Sequence, residues 1–148
     1  MATHVRVRGS LAFVADGPSG LQIIDVTTAA PRIIGSVVTA AAANGVDVTG
    51  SLAVVAVGSS GIQVVNVANP TRPVIIGGVD TPGNALDVVV KGTLAYVADF
   101  TGSLRIIDFA NPAAPALGAT TPGNLGGYLL SVAMMDSFVF GADNLFGN

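Results

Sequence analysis

Gly9-Ser10-Leu11-Ala12-Phe13-Val14-Ala15-Asp16 returns as Gly50-Ser51-Leu52-Ala53-Val54-Val55-Ala56-Val57, and again as Gly92-Thr93-Leu94-Ala95-Tyr96-Val97-Ala98-Asp99. A weaker fourth form is Asp136-Ser137-Phe138-Val139-Phe140-Gly141-Ala142-Asp143. The starts lie 41, 42 and 44 residues apart. Self-similarity at this period marks an array of supersecondary units, each unable to bury its faces alone.

Working outward, each repeat holds four short runs, a to d. In the third they are Asp87–Val90, Leu94–Ala98, Leu104–Phe109 and Ala116–Thr120. They are rich in Val, Ile and Leu and bounded by Gly, Pro, Asn or Asp, which reads as strand. Their near-continuous apolarity predicts burial on both faces. The b–c turns, Asp16–Gly20, Val57–Gly61 and Asp99–Ser103, all carry Gly, and the first and third open on Asp, as hairpins do. The c–d turns, Asn69-Pro70-Thr71-Arg72-Pro73 and Asn111-Pro112-Ala113-Ala114-Pro115, end strands because proline has no N–H to give a ladder. Thr81-Pro82-Gly83-Asn84 and Thr121-Pro122-Gly123-Asn124 lead from d to the next a. No helical period lasts three turns, and glutamate is absent.

The fold class expected is therefore all-β: β-propeller-type blades of about 42 residues with four antiparallel strands each. A parallel β-solenoid is the structural rival. One repeat domain, 1–148, divides into blades at about 5–38, 46–79 and 87–120, with a half blade at about 130–143. About 3.5 blades fall short of the usual ring of about 4–8. The half blade stops after b, leaving Phe138, Val139 and Phe140 as an open edge, with Val5 and Val7 exposed at the other end. Either more chain belongs to the propeller, or other copies of the chain complete it as a closed oligomer or a filament.

The phrases Leu21-Gln22-Ile23-Ile24-Asp25-Val26, Ile62-Gln63-Val64-Val65-Asn66-Val67 and Leu104-Arg105-Ile106-Ile107-Asp108-Phe109, with their Gly-x-Leu-Ala lead and Asn-Pro tail, resemble the LVIVD repeat. The resemblance runs from about Val5 to Asp143. Val57 and Asn66 stand where Asp is usual, and the fourth repeat is degraded. The resemblance implies a propeller and an extracellular or cell-surface setting. It carries no catalytic motif, so no functional residue transfers with it.

Composition narrows the function. Charged residues are 10% of the chain, against about 25% in an average domain, so little repulsion opposes self-association. A net charge of −3 argues against a nucleic-acid partner. Every apolar run is broken well before the roughly 20 residues a membrane-spanning helix needs. No apolar stretch follows Met1–Arg6 as in a signal peptide, so an exported form would be a processed chain or a piece of a larger one. With no cysteine there is neither disulfide nor thiolate metal site.

Candidate ligand-binding residues follow from propeller geometry. Asp16 and Asp99 share a loop position with Asp143, where turn capping is the plainer role. One carboxylate per blade is too few for calcium, so neither metal nor cofactor is expected. Asp47, Asp87, Arg6 and Arg8 lie in a strands, near the axis, where they either hold a small polar ligand or satisfy one another. Asp25, Asn66 and Asp108 read as turn-initiating side chains. His4, the one histidine, falls at a terminus that is expected to fray, and no catalytic set can be built on it. Phe13, Tyr96, Phe140, Met134 and Met135 are expected in the core. The expected function is a non-enzymatic extracellular or cell-surface interaction protein that self-associates through open blade edges. A peptide- or glycan-binding module of a larger propeller is the alternative, and an enzyme using channel-facing aspartates a second.

Overall fold

The computed structural model describes residues 1–100, 103–120 and 128–144. They form fourteen strands and no helix. Blade 1 is β1 (His4–Arg8), β2 (Leu11–Ala15), β3 (Leu21–Asp25) and β4 (Arg32–Val37). Blade 2 is β5 (Gly45–Thr49), β6 (Leu52–Ala56), β7 (Ile62–Asn66) and β8 (Val74–Val79). Blade 3 is β9 (Ala85–Lys91), β10 (Leu94–Asp99), β11 (Ser103–Asp108) and β12 (Ala116–Thr120). Half-blade 4 is β13 (Tyr128–Met135) and β14 (Phe138–Asn144). Every pairing is antiparallel between sequence neighbours, which excludes the parallel solenoid. Among the described residues no sheet closes on itself, and no helix is long and apolar enough to cross a membrane.

Register makes the repeats superimposable. Phe13 faces Arg6, Val54 faces Asp47, Tyr96 faces Val89 and Phe140 faces Ala133. The a–b turns need a left-handed residue, which Gly9, Gly50 and Gly92 supply at φ 57, 54 and 59°. Asp136 takes the same place at φ 53°, a conformation aspartate tolerates better than most side chains.

The core lies between blades. The front of blade 1 (Phe13, Ala15, Leu21, Ile23) packs on the back of blade 2 (Val46, Val48, Val55, Val65). The front of blade 2 (Val54, Ala56, Ile62, Val64) meets the back of blade 3 (Val88, Ala95, Val97, Ile107). A smaller cluster joins Val89, Tyr96, Ala98 and Leu104 to Leu129, Val132 and Met134 of the half blade. Phe100 stacks on Tyr128 with ring centroids 4.4 Å apart.

Two core expectations fail on one surface. Phe140 is 52% and Met135 62% exposed, whereas Phe13, at the position of Phe140, is 3% exposed. Among the described residues no blade covers the front of half-blade 4.

Blades also interlock through a d-strand glycine. A Cβ on Gly35 would stand 2.0 Å from the Pro70 carbonyl oxygen, and one on Gly77 2.2 Å from that of Pro112. The Asn-Pro turn of each following blade thus presses directly on backbone. Those turns are held as expected: Asp25, Asn66 and Asp108 accept from the amides of Thr27, Ala68 and Ala110 at 2.9, 2.9 and 2.8 Å.

Candidate functional site at the propeller axis

Among the described residues the strands β1, β5, β9 and β13 have a ladder on one side only, each with the b strand of its own blade, apart from a single bridge between Ala85 at the start of β9 and Gly58. Their other edge faces the axis and carries amides without a ladder partner. A buried amide left unmet costs about 1–3 kcal/mol. The polar residues of these strands meet that need.

Asp47 is 4% exposed. Its Oδ1 accepts from the Val48 amide at 2.8 Å and its Oδ2 from the Val90 amide of blade 3 at 2.9 Å. Asp87, 7% exposed, repeats the device one blade on. It accepts from the Val88 amide at 2.8 Å, and from the Ser131 hydroxyl and the Val132 amide at 2.6 and 3.1 Å. Arg6 Nε stands 2.8 Å from Asp47 Oδ1, at ion-pair distance without hydrogen-bond alignment. Arg8 donates from Nη2 to the Val48 carbonyl at 2.8 Å. Gly45 has no side chain because Asp87 needs its space: a Cβ there would lie 2.7 Å from Asp87 Cα.

His4 does not fray. It opens β1, and its Nδ1 accepts from the Val46 amide at 3.1 Å, so Nε2 carries the proton. The same nitrogen is 3.9 Å from Asp87 Oδ1, bringing blade 1 to blade 3 across the axis. The pairing with an edge amide, rather than chemistry at the ring, explains its place. Thr3 beside it donates to the Asn44 carbonyl at 2.8 Å.

Two cavities open on the axis. One, of about 320 Å³, is lined by Thr3, His4, Asn44, Asp87, Leu130 and Ser131 among others. The other, of about 340 Å³, includes Arg6, Arg8, Asp47, Lys91, Met134 and Asp136. The structure thus gathers Arg6, Arg8, Asp47 and Asp87 at the axis. Asp16 and Asp99 line neither cavity. Asp16 lies 3.4 Å from the terminal ammonium of Met1. Asp99, fully buried, accepts from Thr81 Oγ1 at 2.7 Å, the Gly83 amide at 3.0 Å and Arg105 Nε at 3.1 Å. It ties the entry of blade 3 to β11, a wider task than turn capping. Among the described residues no three His, Cys, Asp or Glu side chains gather as a metal centre requires.

Sequence reasoning missed His4, Ser131, Lys91 and Asp136. The signal available was register: His4, Gly45, Asp87 and Ser131 occupy one row of the a strands.

No curated protein sequence matches the chain. Among solved structures, the computationally designed protein Ika4 superimposes with a TM-score of 0.78 at 8% identity, over 97% of this chain and 86% of that one. The computationally designed Ika8 superimposes with a TM-score of 0.75 at 8% identity, over 96% of this chain and 42% of that one. At such identity the likeness concerns the fold alone, a propeller-like stack of blades. The LVIVD repeat matches residues 1–39, 40–81 and 82–120, one match for each whole blade and its lead-in. With three consecutive matches over most of its length, the chain belongs to the LVIVD-repeat family.

Proposed function

We propose that this β-propeller module is a non-enzymatic interaction unit of an extracellular or cell-surface protein, and that it binds further copies of itself through its two open blade faces. One observation carries the reading: repeat positions buried inside the stack are bare at its ends. Val5 and Val7 are 53% and 56% exposed, while Val46 and Val48, their counterparts in blade 2, are 0% and 3%. Inside the stack such a back face always meets the front face of the preceding blade. The front of half-blade 4, with Phe138 and Phe140, is therefore the natural partner for the back of blade 1. Met between two chains, these unlike faces make a head-to-tail contact that yields a ring or a fibre.

The axial carboxylates favour a structural over a catalytic role, since every oxygen of Asp47 and Asp87 already accepts a hydrogen bond or a pair. A second reading is favoured by the His4–Asp87 approach: the two faces belong to one chain and close on each other. Sedimentation velocity decides between them. Self-association predicts species heavier than 14.6 kDa that revert to monomer when Phe138 and Phe140 are changed to Ser. A compact monomer at all concentrations would sink it in favour of closure within the chain.

A further inference from the structure

We infer that the axial cavity at the far ends of the a strands is a binding site for a small oxyanion, a molecule bearing carboxylate or phosphate groups, held by Arg6, Arg8 and Lys91. The inference does not rest on self-association, which uses the blade faces carrying Val5 and Phe138.

The distribution of charge is the first observation. The chain has six lysines and arginines in 148 residues, and three of them line this one cavity of about 340 Å³. Two carboxylates, Asp47 and Asp136, stand against them. The cavity therefore carries an excess of positive charge on a chain whose net charge is −3. Asp47 is moreover occupied, since its two oxygens accept from the amides of Val48 and Val90.

The second observation is what the cations leave unused. Arg6 Nε is buried and, although 2.8 Å from Asp47 Oδ1, has no hydrogen-bond partner. Arg8 uses Nη2 alone, on the Val48 carbonyl. Lys91 gives one of its three N–H groups to the Asp136 carbonyl. Among the described residues these three side chains form no other hydrogen bond. Two guanidinium forks and an ammonium thus keep most of their donors, and such forks match the geometry of carboxylate and phosphate.

The third observation is that the fold does not ask for these charges. Arg8, Thr49, Lys91 and Met135 face Leu11, Leu52, Leu94 and Phe138 in turn, so they form one row of the a strands. Threonine and methionine fill that row in blade 2 and half-blade 4 without a cation. Nor does an axial aspartate need an arginine. Asp87 holds the Val88 and Val132 amides with none at ion-pair distance among the described residues.

The shape of the site narrows the ligand. Arg6 and Arg8 reach from blade 1 over β5, while Lys91 reaches from blade 3 toward half-blade 4. Cations therefore flank the cavity on two sides, as suits a ligand with oxyanion character at both ends. Val89, Val90 and Met134 complete the wall with apolar surface, where charge attraction is less screened than in water. The volume lies at the small end of the roughly 300–1,000 Å³ of ligand pockets. The chain's negative net charge repels a polyanion such as nucleic acid.

The test uses the whole chain at low ionic strength, with succinate and inorganic phosphate as separate probes. Calorimetry reads affinity, and amide NMR shifts read location. At least one probe should bind saturably with a Kd below about 1 mM. The largest shifts should fall at Arg6, Arg8, Lys91 and Asp136, and small ones at Thr3 and Asn44 in the other axial cavity. Tighter succinate assigns a carboxylate ligand and tighter phosphate a phosphate-bearing one; either upholds the site. Arg8→Thr with Lys91→Met installs the residues of Thr49 and Met135 at two exposed positions. It should weaken binding at least about 10-fold, as loss of charge-assisted bonds requires, with the melting temperature within roughly 3 °C of the parent. Should that pair unfold the chain, Lys91→Met alone should weaken binding at least about 3-fold. Arg32→Thr with Arg72→Met removes two equal charges elsewhere and should change affinity less than about 2-fold. Both probes weaker than about 1 mM overturn the inference. So do equal losses in the axial and the control variants, and so does chloride at the same concentration giving the same shifts. Failure here leaves self-association standing, because that is read by sedimentation without any probe.

Discussion

Replacing Asp47 with Ala tests whether the axial carboxylates hold the stack or await a ligand. The change strips the acceptor from two amides, Val48 in the same strand and Val90 in the next blade. The Val48 amide is buried and suffers the full penalty, about 1–3 kcal/mol. That of Val90 is only partly buried, so water replaces part of its bond. Arg6, 38% exposed at its side chain, rehydrates on losing its partner and adds little. The total is about 2–4 kcal/mol, a large share of the roughly 5–15 kcal/mol that holds a domain. For a chain of this size that lowers the melting temperature by roughly 5–15 °C. Asp47→Asn keeps one acceptor oxygen and turns an amide group toward the other N–H, so about half the loss is expected. Urea denaturation at neutral pH measures the cost, and hydrogen exchange locates it. Val48 and Val90 should lose protection, while Val46, held by His4, keeps it. A cost below about 1 kcal/mol, within the range of ordinary surface substitutions, would refute the structural role. Unchanged exchange at both amides would do the same.

Three further outcomes are expected. Asp99→Ala strands Arg105, 14% exposed at its side chain, in a buried site and should cost about 3–5 kcal/mol; adding Arg105→Leu should recover at least about 1 kcal/mol in a double-mutant cycle. Gly77→Ala forces a methyl onto the Pro112 carbonyl and should cost about 1–3 kcal/mol by urea melt; a cost below about 0.5 kcal/mol would contradict the interlock. The Thr27 hydroxyl and then its amide hold the Asp25 carboxyl below its ordinary range, against a smaller opposing effect of desolvation that in turn exceeds the pull of Arg32. A carboxyl lowered by folding stabilises above its unfolded pKa and loses that contribution as pH falls through the folded value. NMR titration should show the Asp25 transition moving upward in Thr27→Ala, and no movement would count against the Thr27 bond.

The repeat period and the turn chemistry were enough to read out the blades. Glycine, Asx and proline act locally, so Asp25, Asn66 and Asn69 announce their hydrogen bonds within two residues. The axis was legible only in outline. Arg6, Arg8, Asp47 and Asp87 could be placed there because they lie in a strands. The partners of Asp47 and Asp87 include backbone amides some forty residues away, and that of Arg8 is a carbonyl as distant, none of which has a signature in side-chain sequence. His4 was misjudged because position near a terminus weighs against order, while one amide of blade 2 outweighs it. Phe140 and Met135 were misjudged because a repeat position is buried only when a neighbour follows it.

The imidazole and carboxylate hydrogen bonds between blades at the axis run one way. These three side chains each accept from an amide of the blade that follows: His4 from Val46, Asp47 from Val90, Asp87 from Val132. A blade inserted in reverse would set acceptor against acceptor and leave the amides bare. The array therefore has a grammatical direction, like a sentence that can be lengthened only at its end or by whole clauses. Lengthening or shortening such a gene without harm requires steps of one complete repeat, cut at any point but kept in phase. An indel of half a period inside the stack would break the axis even where every strand survived.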